Sequence, residues 1–284
     1  MLGKHKLGVY EKAFDQVSGW SQKLNKAKYL GFDFFEISVD ESDARLERLH
    51  WTARQRTELR KASADEGIPI SSMCLSAHRR FPLGSADADT ERKAMEIMER
   101  AIDFAVDMGI RVIQLAAYDV YYEQSTPDTV KRYAENLAKA AEMAEKQCVM
   151  IANEIMDTPF MNSISKHLCY EAKINSPWLK VYPDLGNLSA WGNDVRAEIA
   201  KGIGSIVQVH LKDTLAVTDS FHGQFRDLKF GEGCVDFAAC FRALEENNYC
   251  GPYLIEMWHK KGRSDIEDVA EAKAYITDIF NKAV

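Results

Sequence analysis

The stretch "GIRVIQLAA" (residues 109–117) opens on a helix breaker and continues as a mostly apolar, strand-like run. Before it, "DTERKAMEIMERAIDFAVDM" (89–108) repeats apolar residues at helical spacing, with Asp89 as a candidate N-cap. The same joint occurs earlier in the chain. "SGWSQKLNKAKYL" (18–30) reads as an amphipathic helix, Gly31 stops it, and "GFDFFEISV" (31–39) passes into a strand. A helix that ends at glycine and leads straight into a buried strand is the repeating joint of an alternating α/β fold.

Outward from these two joints, the pattern extends over the whole chain. Strand-like runs lie at "LGVY" (7–10), "FFEISV" (34–39), "SSMCLS" (71–76), "VIQLAA" (112–117), "VMIANEIM" (149–156), "LKVYPD" (179–184), "IVQVHLK" (206–212) and "PYLIEMW" (252–258). Each is short and mostly apolar, as strands covered on both faces should be. Further helical stretches are "TPDTVKRYAENLAKAAEMAEKQ" (126–147), with Thr126 as cap and Pro127 in the first turn, "DFAACFRALEENNYCG" (236–251) and "SDIEDVAEAKAYITDIFNKA" (264–283). Eight strand–helix alternations without a Pro/Ser-rich linker predict one domain over residues 1–284: a single (β/α)8 TIM barrel, of class α/β. An open doubly wound sheet is the runner-up, and the first strand lacks the GxGxxG turn such sheets often carry.

Bulk properties narrow the function. Apolar residues make up 46% of the 284 positions and charged ones 28%, the balance of a soluble protein with a sizeable core. No apolar run approaches the roughly 18–20 residues that span a bilayer, and "MLGKHKLGVY" has no signal-peptide h-region. Six scattered cysteines without a CxxC pair suggest reduced, mostly buried thiols in a cytoplasmic protein. A net charge of −7 argues against a broad nucleic-acid surface.

In a barrel of this kind the chemistry sits at the C-terminal strand ends. There "YLIEMW" (253–258) places Glu256 inside an apolar run, where a carboxylate needs a compensating charge. Glu154, Asp184 and His210 stand near the ends of the three preceding strands. Each has a structural account when taken alone: a core histidine, a helix cap, a turn former. Together, three carboxylates and an imidazole in one barrel mouth call for one divalent cation, with Mn²⁺, Mg²⁺, Co²⁺ or Zn²⁺ all compatible. Lys212 shares the face of His210 and can reach the pocket. Parity on the third strand adds His78, with Arg79 and Arg80 in the following loop, as a candidate phosphate or hydroxyl site. "MNSISK" (161–166) offers Ser163 and Lys166 at a helix start, and "FGEG" (230–233) offers backbone amides, although Glu232 would repel an anion.

The strand-end order Glu, Asp, His followed by Lys-Asp, then Glu, resembles the xylose-isomerase-like barrel superfamily. The stretches "SMCLSAHRRFPLGS", "GIRVIQLAAYDVYY", "EIMDTPFMNSISK", "YPDLGNLSAWGNDV" and "CGPYLIEMW" more closely resemble the L-xylulose-5-phosphate 3-epimerases, also called L-ribulose-5-phosphate 3-epimerases, of L-ascorbate catabolism. This resemblance implies metal ligation by Glu154, Asp184, His210 and Glu256, with the two glutamates also acting as the acid/base pair. The implied reaction is C3 epimerisation of a ketopentose phosphate through a cis-enediolate. Asn187 stands near a position where the superfamily's ketohexose epimerases have His, which fits a different substrate. One departure is the stretch "LAVTDSFHGQFRDLKFGEG", longer than the family leads one to expect, which leaves contacts by Arg226 or Lys229 open.

The alternatives are a hexulose-phosphate or aldose–ketose isomerase, a free-ketose 3-epimerase, a multi-zinc endonuclease and a catalytically silent sugar-binding barrel. An endonuclease would need more His ligands than this set contains, and a silent barrel would be expected to lack Glu154 or Glu256. The expected partner is a small-molecule sugar phosphate, with no nucleic acid and no membrane, and the expected assembly is a homodimer.

Overall fold

Gly31 and Gly109 both adopt left-handed backbone, φ 72° and 71°, so each helix stops where the sequence places its breaker and the chain turns directly into a strand. The computed structural model describes residues 1–284. Its elements run β1 (Leu7–Tyr10), α1 (Trp20–Tyr29), β2 (Phe34–Val39), α2 (Asp43–Leu46), α3 (Ala53–Glu66), β3 (Ile70–Leu75), α4 (Ala88–Met108), β4 (Val112–Leu115) and α5 (Pro127–Lys146). They continue with β5 (Met150–Glu154), α6 (Ile164–Ile174), β6 (Leu179–Tyr182), α7 (Leu185–Ala190), α8 (Val195–Gly202), β7 (Val209–Leu211), α9 (Phe237–Glu246), β8 (Tyr253–Ile255) and α10 (Asp265–Ala283).

All eight strands are parallel, in the order β6-β5-β4-β3-β2-β1-β8-β7. Between β6 and β7 the barrel is joined by two isolated parallel bridges, Val181 to Ile206 and Asp184 to His210. β1 and β2 match the apolar runs that encode them, whereas β4 to β8 are shorter than theirs. β7 covers only Val209–Leu211, with Ile206 ahead of it making an isolated bridge to Val181, and β8 covers Tyr253–Ile255, with Glu256, Met257 and Trp258 bending into the site loop.

The apolar core lies between sheet and helices, not inside the barrel. One cluster of 65 buried residues fills the outer layer. There α4 contributes Ile97, Met98, Ile102 and Phe104, each worth about 1.5–3 kcal/mol when fully buried. The barrel interior holds a four-residue apolar plug of Tyr10, Phe34, Cys74 and Leu254. Phe34 lies across the barrel so closely that a Cβ at Gly8 would meet its ring at 2.3 Å, which explains the glycine on β1. The other inward positions are largely polar, and Tyr10 and Cys74 reach the mouth that carries the site.

Two local expectations are corrected. Asp87, not Asp89, caps α4 by accepting the Thr90 amide at 2.8 Å, while Asp89 sits in the first turn and pairs with Arg92. The thiols are not mostly buried: Cys148, Cys169, Cys234 and Cys250 are exposed, since they fall at helix ends, loops or the solvent side of α6.

Candidate active site

Alternation on the strands brings Glu154 (end of β5), Asp184 (just past β6), His210 (β7) and Glu256 (just past β8) into the same mouth. One ligand atom from each lies within 4.8 Å of the others, and all four residues are buried. His210 Nδ1 is the nitrogen that faces the carboxylates, at 3.2 Å from Glu154 Oε1 and 3.9 Å from both Asp184 Oδ2 and Glu256 Oε2. Asp184 serves two purposes. Its Oδ1 caps α7 by accepting the Asn187 amide at 2.7 Å, which aims Oδ2 into the mouth. Glu154 is steadied by Gln114 on β4, whose amide donates to Oε2.

Lys212 Nζ bridges Asp184 Oδ2 at 2.9 Å and Glu256 Oε2 at 3.0 Å. The carboxylate of "YLIEMW" is therefore compensated within the chain by Lys212 and His210. The acids nevertheless differ. Burial, reinforced by neighbouring carboxylates, pushes Asp184 and Glu154 above their ordinary range. Burial would raise Glu256 as well, but Lys212 and His210 outweigh it and hold that carboxyl low. Burial opposes their charge, but the surrounding carboxylates outweigh it and push the pKa of both Lys212 and His210 up.

The donor set fits a divalent cation. Asp184 Oδ2 and Glu256 Oε2 are buried and receive no well-directed hydrogen bond, despite the nearby ammonium. Three carboxylates and one imidazole nitrogen supply the hard, oxygen-rich ligands that Mn²⁺, Mg²⁺, Co²⁺ or Zn²⁺ accept.

The cavity over this set is lined by Glu154, Glu256, Lys212 and Asn187 together with Tyr10, Lys12, Cys74, Ser76, Arg79, Met156, Asp157, Phe225, Arg226 and Trp258. Asn187 Nδ2 donates to the Ile155 carbonyl, which leaves its buried Oδ1 without a partner. Arg79 donates to the Tyr118 hydroxyl at 3.2 Å and lies over the Tyr118 and Tyr121 rings.

Three candidates from the sequence do not reach the cavity. His78 is turned onto α4, with Nε2 3.3 Å from the Ala94 carbonyl, and burial lowers its pKa to about 4. The alternation that pointed it inward ends with β3 at Leu75, after which residues 77–79 form a 3-10 turn. Ser163 is an N-cap for α6, accepting the Lys166 amide at 3.3 Å. Lys166 is exposed and donates to the Pro159 carbonyl.

The long segment after β7 divides sharply. Leu215 pairs with Gln224 and Thr218 with Phe221 in a small antiparallel ribbon. That ribbon presents Phe225 and Arg226 to the cavity, with the Arg226 guanidinium 5.2 Å from the Trp258 ring centre. Lys229 instead pairs with Glu271 at 2.6 Å. The "FGEG" amides are already engaged: Asp213 Oδ2 accepts from Gly231 at 2.8 Å and Gly233 at 3.0 Å. A carboxylate of the chain itself thus fills the place considered for a phosphate.

Sequence reasoning missed Glu36, Gln114, Tyr10, Lys12 and Trp258. Inward parity on β2, β4 and β1 was the available signal for Glu36, Gln114 and Tyr10, whereas Lys12 lies past the end of β1 in a 3-10 turn. Trp258 lies two residues past Glu256, beyond the end of β8.

Fold and site together define a class: a TIM barrel of the sugar-isomerase kind, with a buried carboxylate–imidazole set at its strand ends. Residues 24–279 match the xylose isomerase-like TIM barrel family. UlaE of Salmonella paratyphi C (strain RKS4594), an L-ribulose-5-phosphate 3-epimerase, is 52% identical over 277 residues, which cover 97% of this chain and 95% of that protein. SgbU of Escherichia coli (strain K12) is 54% identical over 275 residues, covering 97% and 96%. Among solved structures, an L-ribulose 3-epimerase superposes with TM-score 0.79 at 20% identity, over 98% of this chain and 95% of the other. The chain belongs to the xylose isomerase-like TIM barrel family, in the branch of the L-ribulose-5-phosphate 3-epimerases.

Proposed function

We propose that this protein interconverts L-xylulose 5-phosphate and L-ribulose 5-phosphate by epimerisation at C3, with one divalent cation held by Glu154, Asp184, His210 and Glu256. The observation that carries this reading is the convergence of those four side chains within 4.8 Å at the barrel mouth. The 52% identity to UlaE supports the choice of substrate.

Epimerising C3 of a 2-ketose requires loss of a weakly acidic proton alpha to the C2 carbonyl and return of a proton to the opposite face. Glu154 and Glu256 approach the mouth from β5 and β8, on either side of Asp184 and His210, and so can flank a planar enediolate. One carboxylate takes the C3 proton, the C–H electron pair moves into the enediolate, and the other carboxyl delivers its proton from the far side. The chemistry a bound divalent cation supplies is Lewis-acid stabilisation of the charge that develops on the substrate oxygens. Lys212 adds a fixed positive charge beside Asp184 and Glu256. Gln114 and Asn187 hold Glu154 and the chain around Ile155 in place. Arg79 and Arg226 line the same cavity and can meet a phosphate group, as can Lys12, which is paired with Asp40.

Proton-exchange NMR of L-xylulose 5-phosphate in D₂O with metal-loaded protein tests the proposal. Deuterium should enter at C3 as L-ribulose 5-phosphate appears. Exchange at C1, with formation of an aldose, would replace epimerisation by aldose–ketose isomerisation.

A further inference from the structure

Glu36 is a fully buried carboxylate in the middle of β2, and no lysine or arginine pairs with it. Its Oε1 lies 3.0 Å from His210 Nε2, the imidazole nitrogen that faces away from the Glu154, Asp184 and Glu256 carboxylates. Its Oε2 accepts from Ser72 Oγ at 2.7 Å and from the Tyr182 hydroxyl at 3.0 Å. Those two hydroxyls in turn accept from Gln208 Nε2, so each has its own proton free for Glu36. The direction of the network is thereby set: Glu36 accepts throughout, and His210 Nε2 must donate.

We propose that Glu36 is a positioning residue for the metal centre. By accepting the Nε2 proton of His210 it fixes the tautomer and ring angle that present the Nδ1 lone pair to the Glu154, Asp184 and Glu256 set. This rests on the metal reading above and extends it one residue inward. An imidazole in the other tautomer would point an N–H at the cation position and leave Nε2 and the Glu36 carboxylate as two acceptors facing one another in a dry interior. Carboxylate partners of ligating histidines commonly contribute 10–100-fold to metal affinity through this orientation.

The test joins a spectroscopic and a binding measurement. In ¹⁵N-histidine-labelled protein loaded with Zn²⁺, His210 should show metal coordination at Nδ1 and a retained, slowly exchanging proton at Nε2. In chelator competition, Glu36→Gln should bind Zn²⁺ about 10–100-fold more weakly than wild type. Glu36→Asp, which keeps the charge, should recover part of the loss. Coordination through Nε2, or wild-type Zn²⁺ affinity in a folded Glu36→Gln protein, would overturn the proposal. Should Glu36→Gln fail to fold, the wild-type spectrum decides alone. A wild-type protein that takes up no Zn²⁺, Mn²⁺ or Mg²⁺ would instead overturn the metal reading on which it rests.

Discussion

Glu154 and Glu256 have opposite surroundings: burial pushes the first up, while Lys212 and His210 hold the second down. An acid/base pair needs two carboxyls in unlike electrostatic surroundings, and these have them. Glu154→Gln and Glu256→Gln keep shape but remove the base, so each should lower kcat for C3 epimerisation by at least about 10²–10⁴-fold with the fold intact by circular dichroism. Near-wild-type turnover in either variant would remove that residue from the pair. Phosphate recognition belongs to this scale too. If cavity cations hold the phosphate by charge-assisted hydrogen bonds of about 1.5–3 kcal/mol each, kcat/KM for L-xylulose 5-phosphate should exceed that for L-xylulose by at least roughly tenfold. The advantage should shrink in at least one of Lys12→Ala, Arg79→Ala and Arg226→Ala and persist in Lys166→Ala, whose ammonium lies outside the cavity. Equal use of both sugars by the wild type would make this a free-ketose epimerase. The four ligand-type residues were legible because each is an ionisable group at the end of an apolar run. Glu36 was overlooked, although inward parity on β2 marked it, because nothing in "FFEISV" shows that His210 faces it across the barrel.

At the scale of elements, strand existence was more legible than strand extent. Apolar runs mark what is buried, but hydrogen-bonded pairing ends sooner, and His78 shows the consequence: parity holds only while the strand lasts. The helices at 43–66 escaped a pattern reading because α3 buries Leu59 alone, and its N-terminus is set by the Thr52–Gln55 capping box. The shape of the segment after β7 was not legible, since it depends on a carboxylate 18 to 20 residues ahead of the amides that it holds. Asp213 is buried and accepts the amides of Thr214, Gly231 and Gly233 at 3.0, 2.8 and 3.0 Å. Asp213→Ala leaves those amides without their acceptor, an expected loss of about 2–3 kcal/mol in urea unfolding, because bonds to a charged partner are worth about 1.5–3 kcal/mol each and water recovers part. Hydrogen exchange should speed up first at residues 231–233. KM should rise more than kcat falls, since the ribbon carrying Phe225 and Arg226 would lose its anchor while Glu154 and Glu256 stay in place. Unchanged exchange at 231–233 would show that the segment is held by something else.

For the molecule as a whole, the weak point of closure is the seam between β6 and β7, where two bridges do the work that full ladders do elsewhere. A polar clamp spans that seam. Glu171 on α6 pairs with Lys180 of β6, accepts from Ser205 just ahead of β7, and lies 3.1 Å from His167 Nε2. Burial works against ionisation of Glu171, but His167, Lys180 and Ser205 overcome it and bring its pKa down to about 2, from an ordinary 4.5. The sign follows from proton linkage. An unfolded chain binds a proton at this carboxyl near pH 4.5, the folded one only near 2, so the stabilisation is complete above about pH 4.5 and disappears as pH falls toward 2. Glu171→Gln should therefore destabilise the protein at pH 7 by roughly 1 kcal/mol, a modest figure because the site is partly solvated and screened. The gap between variant and wild type should narrow steadily below pH 4.5, as measured by urea unfolding across that range. A difference that stays constant with pH would mean that Glu171 acts through packing, leaving the seam to be held by its two bridges and the surrounding helices.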